Sequence, residues 1–236
     1  MKHFPIACLV LCLGLLALSP GATAQDLPRS RLVIGADDRK MVSDMPAAIG
    51  RLNISGFARR TQCTAVLVAP DIVATAAHCV TDRRSGDAVT ATRVHFLAGL
   101  TPEGHKAYGQ GRCIRRAAHA DVALVILAKP VKKIAPLAFL PEEPVEGMAV
   151  AHAGYALDRP YALTAHRHCR VLRKGDGMLH TDCDTNHGQS GGPVLVERDG
   201  KAYLAGIMVG AEPGEYSAAV GLSAVAELLG APGCRR

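Results

Sequence analysis

Short apolar runs, each about the length of one β-strand, recur along the 236-residue chain. They are rich in Val, Ile and Leu and are separated by turn residues, a pattern typical of many short strands. Long helical periodicity is missing until residues 223–229, where Ser223 is placed to cap a helix. That helix would carry Val225, Leu228 and Leu229 on one face. The sequence therefore predicts an all-β fold with a C-terminal helix. The clearest runs are residues 65–68, 72–76, 94–97, 122–127, 194–196 and 204–209.

The composition excludes several classes of protein. Hydrophobic residues make up 49% of the chain and charged residues 20%, which is too apolar for a disordered protein. The formal net charge is +6, but no block of Lys or Arg is longer than two residues. Because a nucleic-acid site needs clustered positive charge, we expect no nucleic-acid binding.

The first 24 residues have the pattern of a secretory signal peptide. A short basic start at Lys2 and His3 precedes an apolar run over residues 6–18, and an A-x-A cleavage site follows at residues 22–24. The apolar run is shorter than the roughly 18 to 20 residues that cross a bilayer. We therefore expect an exported protein, secreted or periplasmic, that does not bind a membrane after the signal is removed. Residues 25–32 form a possible short pro-segment.

Six cysteines remain once Cys8 and Cys12 leave with the signal. An even number in an exported chain predicts disulfides, because an oxidising compartment lets them persist. The most linker-like segment, residues 129–147, contains four prolines and divides the mature chain into halves of similar size. Each half is long enough for one small β-barrel.

Three short segments carry residues with catalytic chemistry, in the order His, Asp, Ser. They are residues 75–79 with His78, residues 121–125 with Asp121, and residues 188–193 with Ser190. A serine hydroxyl is a weak nucleophile until a base such as an imidazole takes its proton, and a carboxylate on the other ring nitrogen orients that base. Backbone amides must then stabilise the oxyanion, and the amides of Gly188 and Ser190 are the expected donors.

At these segments the chain resembles the chymotrypsin-like serine peptidases, in the order and spacing of that family. Residues 33–39, and Asp184-Thr185 ahead of the serine motif, look more like the bacterial V8-like, glutamyl-endopeptidase branch than like animal trypsins. The resemblance implies two six-stranded antiparallel β-barrels with the active site in the cleft between them. Residues 33–130 would form the N-terminal barrel, and residues 145–236 the C-terminal barrel and helix.

The function implied by the resemblance is that of a serine endopeptidase acting on protein or peptide substrates through an acyl-enzyme. Ser190 would be the nucleophile, His78 the acid and base, and Asp121 the group that orients His78. Neither a metal nor an organic cofactor is implied, and we expect a monomer. The alternative is a catalytically silent binding or adaptor protein with the protease fold. An α/β-hydrolase is excluded by chain order, because that fold needs a histidine after the serine and the last histidine is His187.

Gln189 departs from the trypsin pattern, in which an aspartate before the serine pairs with a newly cut N-terminus. Because glutamine carries no charge, we expect no activation of the trypsin type. In the V8-like enzymes that the chain resembles, the mature α-amine can instead help to bind substrate. The competing interpretation is that residues 31–33 simply begin the first strand.

The expected substrate pocket consists of Asp184, Thr185, His187, Met208, Val209 and Gly210. Asp184 lies six residues before Ser190, where trypsins that cleave after Lys or Arg have an acidic residue. The alternative is that this aspartate only accepts local backbone hydrogen bonds. Thr185 matches a glutamate preference, but the strand after the serine holds Met208 and Val209 and no histidine to pair with a substrate carboxylate.

The resemblance also implies a disulfide between Cys63 and Cys79 that closes the histidine loop. Cys169 with Cys183 is the next pairing we expect, which leaves Cys113 with Cys234, although these four cysteines allow three connectivities. A metal site at residues 166–169 is disfavoured, because the segment lacks a second ligand pair at zinc spacing.

Overall fold

The computed structural model describes residues 32–55, 61–231 and 234. The predicted signal peptide, with Cys8 and Cys12, lies outside the described residues, as does most of the predicted pro-segment. Thirteen β-strands and one α-helix lie within the described part of the chain. No helix there is long and apolar enough to cross a membrane.

Six consecutive strands close into the first barrel. They follow a two-residue strand, β1 (Lys40–Met41). Each strand pairs antiparallel with its neighbours in the order β2-β3-β4-β7-β6-β5, and β5 returns to β2. The strands are β2 (Ile49–Ile54), β3 (Thr61–Ala69), β4 (Ile72–Thr75), β5 (Val94–Ala98), β6 (Ala107–Arg116) and β7 (Ala123–Leu127).

The next six strands form a second barrel of the same size. They pair antiparallel in the order β8-β9-β10-β13-β12-β11, and β11 returns to β8. The predicted chymotrypsin-like fold of two six-stranded barrels is thereby confirmed. The strands are β8 (Ala149–Gly154), β9 (Thr164–Gly175), β10 (Met178–Thr181), β11 (Pro193–Arg198), β12 (Lys201–Glu212) and β13 (Tyr216–Gly221).

Local sequence explains where these strands turn and which faces they bury. All five residues of β7 are buried, whereas buried and half-buried residues alternate through the second half of β2. Two hairpins of the second barrel turn on Asp-Gly pairs, Asp176-Gly177 and Asp199-Gly200, in which both residues have positive φ. That geometry is the two-residue type I′ turn, whose twist matches that of paired strands.

Two segments join the barrels. The linker between β7 and β8 contacts both, because the amide of Leu137 donates to Leu67 of the first barrel and that of Leu140 donates to Leu204 of the second. At the start of the described chain, β1 pairs with β9 of the second barrel. Residues 40–42 therefore lie on the second barrel, and the chain then passes to the first barrel, where the carbonyl of Ala48 accepts the amide of Leu67.

The C-terminal helix α1 (Leu222–Gly230) confirms the predicted helix, with Val225 and Leu228 buried. The predicted cap at Ser223 is wrong. The chain leaves β13 in an extended conformation at Gly221 and enters the helix directly, so the N-cap is Gly221 and Ser223 is exposed inside the first turn. At the other end, the guanidinium of Arg115 donates to the carbonyls of Leu228 and Ala231, which supplies partners for the helix C-terminus.

The three predicted disulfides are all present. Their Cα–Cα separations are 6.1 Å for Cys63–Cys79, 6.3 Å for Cys113–Cys234 and 5.0 Å for Cys169–Cys183. The first joins β3 to the turn that carries His78, and the last joins β9 to the segment that leads to Ser190. Two of the three cross-links thus constrain segments on which the expected catalytic residues lie.

Candidate active site

The pairing of β4 with β7 brings His78 and Asp121 to the same edge of the first barrel. Because the two strands are antiparallel and Thr75 pairs with Ala123, the residues after β4 and those before β7 lie side by side. His78 lies on the short 3₁₀ helix Ala77–Val80 that follows β4, and Asp121 lies just before β7.

The carboxylate of Asp121 contacts His78 at two points. Its Oδ2 lies 2.7 Å from His78 Nδ1, and its Oδ1 accepts the backbone N–H of His78 at 2.9 Å. This pair of bonds fixes both the ring and the turn that carries it, and it leaves Nε2 as the nitrogen that Asp121 does not engage. The side chain of His78 is 41% exposed, so its imidazole is accessible from the cleft.

Ser190 reaches the same place from the second barrel. It lies in the segment between β10 and β11, and its carbonyl accepts the amide of Thr64 on β3 at 2.8 Å. This bond crosses from one barrel to the other. Ser190, His78 and Gly188 line one cavity of about 570 Å³. The expected nucleophile, Ser190, and the expected base, His78, therefore line the same cavity between the barrels.

Two hydrogen bonds orient the backbone at Gly188. The amide of Leu157 donates to the carbonyl of His187 at 2.8 Å, and Thr64 Oγ1 donates to the carbonyl of Gly188 at 3.0 Å. In a trans peptide the C=O and N–H point in opposite directions, so the N–H of Gly188 points away from Leu157. Within the described part of the chain, no backbone acceptor takes the N–H of Gly188 or of Ser190.

Close packing requires glycine at position 188. The residue has φ +92°, and a Cβ there would lie 2.7 Å from the carbonyl oxygen of Tyr155. Any side chain would both strain the backbone and push this segment away from its neighbours. The amide that we expect to bind the oxyanion is thus held in place by sterics as well as by hydrogen bonds.

The side chain of Gln189 points away from the cavity into the second barrel. It is fully buried, its Oε1 accepts the amide of Asn186 at 2.8 Å, and its Nε2 donates to Thr164 Oγ1 at 3.1 Å. Its Oε1 also lies 3.4 Å from Nη1 of Arg39. A glutamine can satisfy these donors and acceptors together because its amide group carries both functions.

Asp184 faces the start of the described chain. It is 1% exposed, and its carboxylate accepts the amide of Ile34 on Oδ1 and that of Asp38 on Oδ2, each at 2.8 Å. Nδ1 of His166 lies 3.4 Å from Oδ2. The aspartate accepts backbone hydrogen bonds, but the amides that donate them are 146 and 150 residues away in the sequence and do not belong to the local turn.

The pKa values of this pair reflect their contacts. Burial by itself raises the pKa of Asp184, but the hydrogen bonds with His166 and with the amides of Asp38 and Ile34 outweigh burial and lower the pKa below its usual range. The carboxylate of Asp184 in turn raises the pKa of His166. Asp184 is therefore held as a carboxylate by the N-terminal segment and β9.

A fully buried histidine packs against residues 186–192, the nucleophile segment that carries Ser190. His152 of β8 is completely buried, and a Cβ on Gly192 would lie 3.1 Å from its Nε2. Burial lowers the pKa of His152 to about 4, so this ring is neutral at neutral pH. It adds no charge beside Ser190.

Of the six expected pocket residues, one lines the cavity that contains Ser190. His187 is exposed and lines the cavity, but the remaining five predicted pocket residues are not part of its wall. Thr185 and Met208 are buried, and Met208 packs in the core of the second barrel because its backbone pairs with Gly191 and Gly192. Val209 and Gly210 are half-buried along β12.

A sequence model of the trypsin-like peptidase domain matches residues 63–207, which is more than half of the chain. The chain belongs to the trypsin-like peptidase family. Its structure is similar to that of a Glu endopeptidase in complex with MPD, with a TM-score of 0.71 over 84% of this chain and 97% of that chain. The two are 18% identical, so the likeness is one of fold. A search of curated proteins gave no match.

This trypsin-like peptidase contains two groups of residues whose geometry resembles a metal site. The donor atoms of Asp38, His166 and Asp184 lie within 4.8 Å of one another, but the oxygens of Asp184 already accept two amides. In the other group, Cys63, His78 and Cys79, the two cysteines are bonded to each other and offer no thiolate. In segment 166–169, where a metal site is disfavoured, Cys169 is bonded to Cys183.

Sequence reasoning missed three residues that support the site of this peptidase. Thr64 bonds Ser190 and Gly188, Leu157 holds the His187 carbonyl, and Arg39 contacts Gln189. Leu157 acts through its backbone amide, which any residue type can supply, whereas Thr64 acts through both its amide and its Oγ1. Arg39 lies 150 positions from Gln189, and only the fold brings the two together.

Proposed function

We propose that this protein is an exported serine endopeptidase that hydrolyses peptide bonds through an acyl-enzyme. The observation that carries the proposal is the bond of 2.7 Å between His78 Nδ1 and Asp121, with Ser190 lining the same cavity as His78. A carboxylate at Nδ1 selects the tautomer whose Nε2 can accept a proton, which is what a serine nucleophile needs.

In the first half of the reaction, Ser190 Oγ attacks the carbonyl carbon of the scissile bond and its proton passes to His78 Nε2. Asp121 stabilises the imidazolium that forms. The oxyanion is bound by the amides of Gly188 and Ser190. His78 then gives its proton to the leaving amine as the C–N bond breaks, which leaves Ser190 acylated.

Water completes the cycle by the same route in reverse. His78 takes a proton from the water as its oxygen attacks the acyl carbon, and the same two amides stabilise the second oxyanion. The proton then returns to Ser190 Oγ as the ester bond breaks. No group outside this chain, its substrate and water takes part in the proposed reaction.

Export is supported by the disulfides, because three bridges between six cysteines persist in an oxidising compartment. We therefore propose a secreted or periplasmic enzyme whose partners are protein or peptide substrates. Activity as a monomer is part of the same proposal, since His78, Asp121, Gly188 and Ser190 all belong to one chain.

Asp184 is proposed to anchor the N-terminal segment rather than to read a basic side chain. Both of its oxygens are occupied by backbone amides, and it is 1% exposed. Replacing Asp184 with Asn should remove one strong acceptor and lower the free energy of unfolding by about 1–3 kcal/mol. We expect the residue preference at the cleaved bond to stay the same. Urea unfolding and mapping of the cut sites check the two parts, and a selective loss of cuts after Lys and Arg would contradict this role.

The proposed function is tested by incubating the mature protein and its Ser190→Ala variant with a mixture of denatured proteins. New peptide ends, identified by mass spectrometry, should form with the wild type and not with the variant. The residues that precede those ends distinguish a basic, a glutamate and a small or apolar preference. If the folded and fully processed wild type makes no cuts in any of many substrates, the silent binding protein becomes the better description.

A further inference from the structure

Arg39 is a buried cation that contacts Gln189 in residues 188–190, which we call the oxyanion segment. It directly precedes β1, and its side chain is 1% exposed. Burying a charge is costly unless the charge is paired and hydrogen-bonded. Arg39 meets this condition through two carboxylates, since it bonds Asp37 at 2.8 and 2.9 Å and Asp158 at 2.9 Å.

The partners of Arg39 lie on three separate segments of the chain. Asp37 belongs to the N-terminal segment, Asp158 to the connection between β8 and β9, and Gln189 to the nucleophile segment. The fork of a guanidinium can hold several acceptors in fixed directions, which an ammonium group cannot do. Arg39 thus links the N-terminal segment to both sides of the site.

Two of the partners of Arg39, Gln189 and Asp158, are adjacent in sequence to residues that form or orient the proposed oxyanion site. Gln189 lies between Gly188 and Ser190, whose amides are the proposed donors, and its Oε1 is 3.4 Å from Nη1 of Arg39. Asp158 follows Leu157, whose amide holds the His187 carbonyl and so orients the next peptide. Arg39 therefore contacts the oxyanion segment directly at Gln189. It also acts on that segment indirectly, through Asp158, the residue next to Leu157.

We propose that Arg39 is a positioning residue that assembles the oxyanion site by holding Gln189 and Asp158 in place. The inference rests on the proposed peptidase function and deepens it. The positive charge that contacts Gln189 is thus that of the Arg39 side chain. Arg39 touches neither substrate nor the reacting atoms.

The test replaces Arg39 with Met and measures kcat and KM separately on a peptide substrate found by cut-site mapping. A displaced oxyanion donor acts on the transition state, so kcat should fall about 10- to 100-fold while KM changes little. Arg39→Lys should give an intermediate kcat, because its ammonium keeps the charge and loses the fork. Rates are compared at a temperature where circular dichroism shows each variant to be folded.

Arg115→Met is the control for the loss of a guanidinium that forms hydrogen bonds elsewhere in the fold. Arg115 bonds carbonyls at the end of α1, so its variant should lose thermal stability and keep the wild-type kcat. Asp158→Asn gives a milder variant if Arg39→Met does not fold, and its kcat should fall severalfold. A double variant, Arg39→Met with Gln189→Leu, should lose less than the two single losses combined, because both act through one contact.

The outcomes separate this proposal from the function on which it rests. A wild type that cleaves nothing contradicts the peptidase function before any variant is made. An active wild type whose folded Arg39→Met and Asp158→Asn variants keep the full kcat overturns the positioning role alone. A fall in kcat that Arg115→Met reproduces would also overturn it, because the effect would then be one of general stability.

Discussion

Replacing His78 with Ala is expected to lower kcat by about 10⁶-fold, because Ser190 loses the base that accepts its proton. The fold should persist, since the side chain is 41% exposed on a short turn. That turn keeps its disulfide, and the amide of residue 78 still donates to Asp121. Steady-state rates on a peptide substrate and thermal unfolding by circular dichroism measure the two quantities.

His95→Ala is the matched control for the loss of an accessible imidazole. His95 lies on β5 of the same barrel, bonds Tyr108 and Ser55, and is not part of the cavity wall. Its variant should retain wild-type activity. If a folded His78→Ala variant kept activity within tenfold of the wild type, His78 would not be the base.

The parts of the site that the sequence could predict are those encoded in short, continuous segments. The apolar runs 72–76 and 122–127 correspond to β4 and β7, whose pairing places His78 beside Asp121. Because a strand fixes the position of the residue at its end, a motif next to a strand predicts where its residues lie as well as what chemistry they can perform. Gly188 is likewise part of a short continuous segment, residues 188–193, but it is expected there because backbone amides must stabilise the oxyanion.

The parts that could not be predicted depend on contacts between distant segments. Asp184 has one position relative to Ser190 in the sequence, but its role depends on the amides of Ile34 and Asp38, about 150 residues away. Met208 is apolar whether it lines a pocket or packs in a barrel, and only the pairing of β12 decides between them. The N-cap of α1 differs from the prediction for a local reason. The helix follows β13 directly, so Gly221 at the end of that strand takes the N-cap position and no side chain caps the helix.

The second large effect is expected for Asp121→Asn, which should lower kcat by about 10⁴-fold with little change in KM. The carboxylate serves two donors, because Oδ1 accepts the His78 amide and Oδ2 lies at Nδ1. An asparagine has a single acceptor oxygen. If that oxygen stays with the backbone amide, the NH₂ group donates to Nδ1 and holds the proton of the neutral ring on Nε2, where the ring can no longer take the proton of Ser190.

Asp87→Asn is the control, because Asp87 is exposed and its variant removes the same charge from the same barrel. Its kcat should equal that of the wild type. Steady-state kinetics of both variants separate the loss of one negative charge from the loss of the second acceptor. A kcat reduced equally in both variants would mean that Asp121 acts through the electrostatic field of the barrel, whereas a loss confined to Asp121→Asn means that it acts by setting the tautomer of His78.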